Sequence, residues 1–307
     1  MTPAQTELLE NLGALRAAVA GTSVLRTILD DSWFESVEKA IRSESPSHTI
    51  PADPTGVLYD FCHPLRGEDW FERDQELTLS GRAAEVDEDG RFAIAFAGLD
   101  PLITMLPVIE QRLAAFAALP FKADKVRVKL NELRSARHAP SFKNHLFELN
   151  VLGDLALRGV LVDIEDSATG VDGAIRIDRR DILVEATNTI QRVIPEVTGV
   201  FFGSPDVEID QVAKKLRKKV AEGRQFARAN GKPTVLFLAR THRGADRVSA
   251  DAALRECFRS SDFAALSGVV LSDSYRLHVT SWRPGASPDV PLTHREIEQI
   301  EAWYGVR

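Results

Sequence analysis

A chain of 307 residues that is 44% hydrophobic and 27% charged, with 19 Gly and 15 Pro, has globular proportions, which excludes wholesale disorder and fibrous architectures. Its net charge of −7 excludes a general nucleic-acid coat, because sequence-independent affinity for phosphate comes from Lys and Arg; such binding would need a local basic surface. The two cysteines, Cys62 and Cys257, lie too far apart for a disulfide framework or zinc ribbon, and no apolar run approaches the roughly 18 residues of a membrane span.

The length suits two units, and the first 21 residues show no basic-then-apolar leader, so a cytoplasmic protein without membrane contact is expected. Residues 5–43 carry Leu8, Leu12, Leu15, Val19, Leu25, Leu29, Phe34, Val37 and Ile41 at helical spacing. Residues 45–74, rich in Pro, Ser and Asp, read as a long surface connection. Two alternating runs, 76–86 and 91–97, flank the turn Asp87-Glu88-Asp89-Gly90 and form a hairpin signal. Helices are expected over 100–119 and 125–137. The predicted organisation is therefore a mainly helical lobe with a β-hairpin at 1–125, followed by an α/β domain at 126–307.

That second domain begins with an apolar helical stripe, Phe142, Leu146, Leu149, Leu152, Leu155 and Ala156, which stops at Arg158-Gly159. Three β-like runs follow at 160–165, 171–177 and 182–188, joined by loops short enough to require antiparallel pairing. A long helix over 206–230 leads through Gly231-Lys232-Pro233 into the apolar strand 234–239. Further strands are expected at 267–271 and 276–282, with a closing helix at 293–304 that Thr293 and Glu296 start as a capping box. This order predicts a mixed central sheet with helices on both faces.

The chemistry concentrates on the second hairpin. A four-residue loop between Ile177 and Ile182 pairs Asp172 with Thr187 and Ala174 with Glu185. Asp172 and Glu185 then lie diagonally on one face, with Cβ atoms roughly 7 Å apart. Two carboxylates at that separation can share a divalent cation, and hard oxygen donors suit Mg²⁺ or Mn²⁺. Glu185 also interrupts the apolar run Leu183, Val184, Ala186, where a lone carboxylate is costly unless paired or metal-bound.

With Phe147-Glu148-Leu149 on the preceding helix, Gly170-Val171-Asp172-Gly173 opening the middle strand and Val184-Glu185-Ala186-Thr187 on the next, residues 140–240 resemble the PD-(D/E)XK, or restriction-endonuclease-like, nuclease superfamily. The resemblance implies a metal-dependent endonuclease or phosphodiesterase in which Asp172, Glu185 and the Ala186 carbonyl bind Mg²⁺ or Mn²⁺ and Glu148 supports the site. It departs at one position: Thr187 stands where the family has a lysine. Members sometimes carry that lysine on a neighbouring helix, which makes Lys214, Lys215 and Lys218 its candidates.

The helix of 206–230 supplies a local basic surface, on which Lys214, Lys215, Lys218, Lys219, Arg224 and Gln225 can meet a nucleic-acid backbone or base. The seven histidines show no HExxH spacing, and GxxxxGK[ST], GxGxxG and GxSxG are absent, which removes the sequence case for a zinc hydrolase, nucleotide hydrolysis, a dinucleotide cofactor or an α/β-hydrolase. His145, near the start of the Glu148 helix, reads as a structural or capping residue. The expectation is thus a Mg²⁺-dependent nuclease acting on DNA or RNA, with a homodimer presenting two sites as a third reading. The alternative, motivated by Thr187 and the acidic charge, is a catalytically silent module that binds nucleic acid or protein.

Overall fold

The computed structural model describes residues 3–43, 105–135, 139–166, 170–188, 231–240, 266–273, 279–284 and 290–304. The surface connection, the 76–97 hairpin and the basic helix of 206–230, with Lys214, Lys215, Lys218, Lys219, Arg224 and Gln225, lie outside those residues.

The apolar spacing of residues 5–43 produces three helices rather than one stretch: α1 (Pro3–Ala20), α2 (Leu25–Ile28) and α3 (Asp31–Ser43). The break before α2 is stabilised from a distance. Glu110 accepts hydrogen bonds from the backbone N–H groups of Ser23 (2.7 Å), Val24 (2.9 Å) and Leu25 (2.9 Å), satisfying the donors that a helix N-terminus leaves open. Although partial burial opposes its charge, these bonds hold the Glu110 carboxyl below the usual carboxylate range. Asp30 starts α3 by accepting from Trp33 N–H at 3.0 Å. Leu15, Val19, Leu25, Leu29, Phe34 and Val37 are buried, so the periodicity faces the core as expected.

Helices α4 (Leu106–Ala117), α5 (Ala123–Ser135) and α6 (Ala139–Leu157) follow. Where α6 crosses α4, Gly153 is required by contact: a Cβ there would stand 2.4 Å from the Arg112 carbonyl oxygen. Helix α6 ends at Gly159 (φ 69°), with Val160 N–H donating to Leu155 O and Gly159 N–H to Ala156 O, the paired bonds of a Schellman stop. The expected boundary at residue 125 falls within α5, whose Val126 and Leu133 belong to the same connected cluster of buried apolar residues that runs from Leu12 to Ile300.

The strands are β1 (Leu161–Asp166), β2 (Val171–Ile177), β3 (Arg180–Asn188), β4 (Thr234–Arg240), β5 (Gly268–Asp273) and β6 (Val279–Pro284), and α7 (His294–Tyr304) closes the fold. They form one six-stranded sheet in the order of the chain. Pairing is antiparallel from β1 to β3, parallel from β3 to β5 and antiparallel again at β6, a mixed sheet within an α/β fold. Helices α6 and α7 cover one face, where Val184, Ala186, Val235 and Phe237 join the main cluster and Phe237 meets Tyr304 edge-on at 5.8 Å. On the other face Leu183, Leu236 and Leu238 are buried as well, which explains why these central strands read as continuous apolar runs. The capping box of α7 forms as expected: Thr293 N–H donates to Glu296 at 2.7 Å and Glu296 N–H to Thr293 Oγ1 at 3.3 Å.

The hairpin register corrects the sequence reading. Strand β3 begins at Arg180, and the turn has two residues, Asp178 (φ 49°) and Arg179 (φ 71°), instead of four. Two left-handed residues make the tight turn whose twist matches that of the flanking strands. Arg295 pairs with Asp178 at 2.8 Å and Arg180 with Glu296 at 3.2 Å, so α7 holds both ends of the turn. Ala174 consequently pairs with Leu183, not Glu185, and the observed ladder ends at Gly173↔Val184. Among the described residues no helix is long and apolar enough to cross a membrane.

Candidate active site

The β2–β3 ladder ends at Gly173↔Val184, one position short of Asp172 and Glu185, for which a diagonal relation was expected. The two strands do not complete another backbone pair there. Instead Ala186 N–H donates to Asp172 Oδ2 at 2.8 Å, so a side-chain carboxylate takes the place of a backbone acceptor at the end of the ladder. Glu185, 1% exposed, sits between Leu183 and Thr187 along the apolar core strand.

A lysine that the sequence reading did not single out meets this end of the sheet. Helix α5 buries Val126, Lys129 and Leu133 at positions three and four apart, so Lys129 occupies a place in the apolar stripe. Its Nζ lies 2.5 Å from Glu148 Oε1 on α6, 3.0 Å from Glu165 Oε1 on β1 and 3.9 Å from Asp172 Oδ1 on β2. One turn earlier on α5, Lys125 pairs with Glu165 at 2.7 Å, and Lys122 pairs with Asp163 while donating to the Ile164 carbonyl at 3.0 Å. Glu165 holds its position with a left-handed backbone (φ 46°), a conformation unfavourable for a residue with a Cβ.

The electrostatics follow from one ammonium serving several carboxylates. Burial works against the charge of Lys129, but Glu148 and Asp172 outweigh it and raise its pKa above the ordinary lysine value, so it remains charged. Glu148 is itself pushed up to about 8, first by burial and then by the Asp172 charge, with Lys129 opposing. Of the three acids around Lys129, the enclosed Glu148 is the one whose ionisation is most disfavoured, because a single cation cannot neutralise the group. Burial also opposes ionisation of Glu165, yet hydrogen bonds from Lys125 and Lys129 hold it below the usual range. His145 is shifted down, chiefly by burial, with Lys129 also disfavouring its cation; its Nδ1 stands 4.0 Å from Glu132.

Helix α6 is fixed further along by a second buried cluster. Asp154 takes Arg112 at 3.4 Å, Arg158 at 2.8 Å and the Tyr304 hydroxyl at 3.4 Å, while the Arg158 guanidinium lies 5.1 Å from the Tyr304 ring centre. These contacts tie α6 to α4 and α7 and so set where Glu148 sits over the sheet.

Of the sequence candidates, Glu148 and Asp172 therefore converge on one cation, and Glu185 and Ala186 occupy the adjoining strand. Thr187, where the sequence resemblance implies a lysine, is buried. Lys214, Lys215 and Lys218, the expected substitutes for that lysine, lie outside the described residues. The sequence reading missed Lys129 and Glu165; the available signal for Lys129 was a lysine standing in an apolar stripe. Among the described residues, no group of three or more His, Cys, Asp or Glu side chains is arranged to hold a metal ion. No family model matches the chain, and no curated protein or solved structure is significantly similar to it.

Proposed function

We propose that the chain is a metal-dependent phosphodiesterase acting on nucleic acid, with a restriction-endonuclease-like arrangement. The observation that carries this reading is a buried lysine set among carboxylates where the antiparallel hairpin stops pairing: Lys129 beside Glu148 and Asp172, with Glu185 on the next strand. It supports a change to the expected roles, in which Lys129 supplies the positive charge that Thr187 cannot.

The donor set fits a hard divalent cation. Asp172, Glu185 and the Ala186 carbonyl offer oxygen only, and Mg²⁺ commonly takes one or two carboxylates and leaves its other positions to water and substrate phosphate. This accommodates the lack of a three-acid cage among the described residues. A bound metal would supply Lewis-acid polarisation of a phosphoryl oxygen and a more acidic water. Glu165 would hold the Lys129 ammonium at the edge of the site, where its charge favours the anionic substrate and the charge that develops during attack. Asp172, oriented by the Ala186 N–H, presents its other oxygen toward Lys129. Lys214, Lys215, Lys218, Lys219, Arg224 and Gln225 remain the residues proposed to track the nucleic acid.

The test is calorimetric titration of Mn²⁺ into the wild-type chain and Asp172→Asn/Glu185→Gln, followed by a screen of single- and double-stranded DNA and RNA with Mg²⁺. Binding lost in the double variant, together with cleavage that is lost in parallel, is the expected result. Thr187 favours the second reading, a silent nuclease-like module: it predicts no cleavage by the wild type and salt-sensitive binding to nucleic acid that falls on charge reversal at Lys214 and Lys218.

A further inference from the structure

A lysine in an apolar stripe is stable only if its charge is met, and Lys129, 8% exposed, is met by carboxylates from three different elements. The contacts are graded. The ammonium is closest to Glu148 at 2.5 Å and to Glu165 at 3.0 Å, and most distant, at 3.9 Å, from Asp172, the residue assigned to the metal. We propose that Lys129 is the resident cation of this carboxylate site, and that a divalent cation binds there by displacing its ammonium toward Glu165. The inference rests on the reading of Asp172 and Glu185 as metal ligands and concerns how that site is filled and regulated.

Three features support it. An ammonium and a dication repel each other strongly at such separations when water is largely excluded, so a dication on Asp172 would drive off the Lys129 ammonium that lies 3.9 Å from that carboxylate. Glu165 already touches Lys129 and is the more open acid, its side chain 25% exposed against 7% for Glu148, which makes it the place where the ammonium can retain a partner with the least desolvation. Its left-handed φ of 46° is the kind of local backbone cost that is retained where a side chain must be aimed in one direction. Lys125, 2.7 Å from the other Glu165 oxygen, limits how much further charge that carboxylate can take on. The exchange is therefore a balanced one, in which Lys129 weakens metal affinity without abolishing it and offsets part of the carboxylates' charge when no metal is present.

The test is Mn²⁺ affinity by calorimetry on the full chain, with circular dichroism to verify folding, for wild type, Lys129→Gln, Glu165→Gln and the double variant. Removing the competitor should tighten Mn²⁺ binding in Lys129→Gln by about tenfold or more. Glu165→Gln should weaken it several-fold, and that loss should disappear in the Lys129→Gln background, because Glu165 acts through the displaced lysine. Equal or weaker binding by Lys129→Gln overturns the proposal, as does a Glu165→Gln loss of the same size in both backgrounds. Should Lys129→Gln not fold, Glu165→Gln decides alone: unchanged Mn²⁺ affinity refutes displacement. Failure of the metal reading is distinct, since then neither wild type nor Lys129→Gln binds Mn²⁺; if wild type binds through Asp172 and Glu185 but the lysine variant binds no tighter, only the displacement is wrong.

Discussion

Replacing Lys129 with Met keeps the length and apolar stem of the side chain while deleting its charge. The side chain is 10% exposed and its nearest partner, Glu148, 7%, so water cannot substitute for the lost ammonium. Breaking a buried pair by removing one partner typically costs about 3–5 kcal/mol. Here the cost depends on pH. Glu148 has a folded pKa raised to about 8, so at pH 5 it carries a proton and the group left behind has one fewer charge to bury. We expect Lys129→Met to lose about 3–5 kcal/mol at pH 8 and markedly less at pH 5, by urea denaturation at both pH values with a chelator present. The variant Lys129→Met/Glu148→Met, which removes the lysine with its closest partner, should recover part of the loss, since replacing a buried pair with apolar groups is often close to neutral while Glu165 and Asp172 still lose the cation. A Lys129→Met cost under about 1 kcal/mol at pH 8, or a double variant no more stable than the single, would refute the view that this lysine neutralises a desolvated acid group.

Two further predictions concern the frame of the site. Between the ordinary value of 4.5 and about 8 the folded chain holds a proton on Glu148 that the unfolded chain has released, so this residue makes stability fall as pH rises through that window. Thermal melts of Glu148→Gln should therefore decline less from pH 5 to pH 8 than those of wild type, and an equal decline would show that Glu148 does not set the slope. Gly153→Ala would place a Cβ 2.4 Å from the Arg112 carbonyl oxygen, and because the obstacle is backbone, α4 and α6 must part. A net loss of about 1–3 kcal/mol in urea unfolding is expected, since strain should exceed the gain in helix propensity of roughly 1 kcal/mol; an alanine variant as stable as wild type would contradict that crossing.

What the sequence disclosed about the fold was set by local physics. The strand at 171–177 alternates within short turns, the α6 stripe stops at a glycine, and Thr293 and Glu296 meet within one helical turn; each signal and its cause lie within a few residues. The hairpin register was misread for the same reason. Asp178 tolerates the left-handed region, but nothing in its side chain announces that Arg179 joins it there, and the contacts that hold the turn come from Arg295 and Glu296 at the far end of the chain. Losing those two loop residues to the strands shifted the ladder, so that Ala174 pairs with Leu183 instead of Glu185 and pairing ends at Gly173↔Val184.

The site shows the same division between local and distant causes. An acid within an apolar strand marks Glu185, and a helical acid beside core leucines marks Glu148, because in each case the anomaly is written among immediate neighbours. Lys129 carried an equal anomaly, a charge between Val126 and Leu133 in the buried stripe of α5, but its surrounding sequence is rich in Lys, Arg and Glu and resembles a solvated helix. Only the packing of α5 beside α6 and the edge of the sheet shows that this lysine faces inward and that its partners come from α6, β1 and β2. The lysine that the resemblance implies was sought after Thr187, on the helix whose basic composition was conspicuous; the buried Lys129 stands before the strands, where composition gave no cue. For a charge that acts from the interior, one ionisable residue at a core position is therefore a stronger indication than a run of charges along a surface, since burial demands a partner and surface exposure does not.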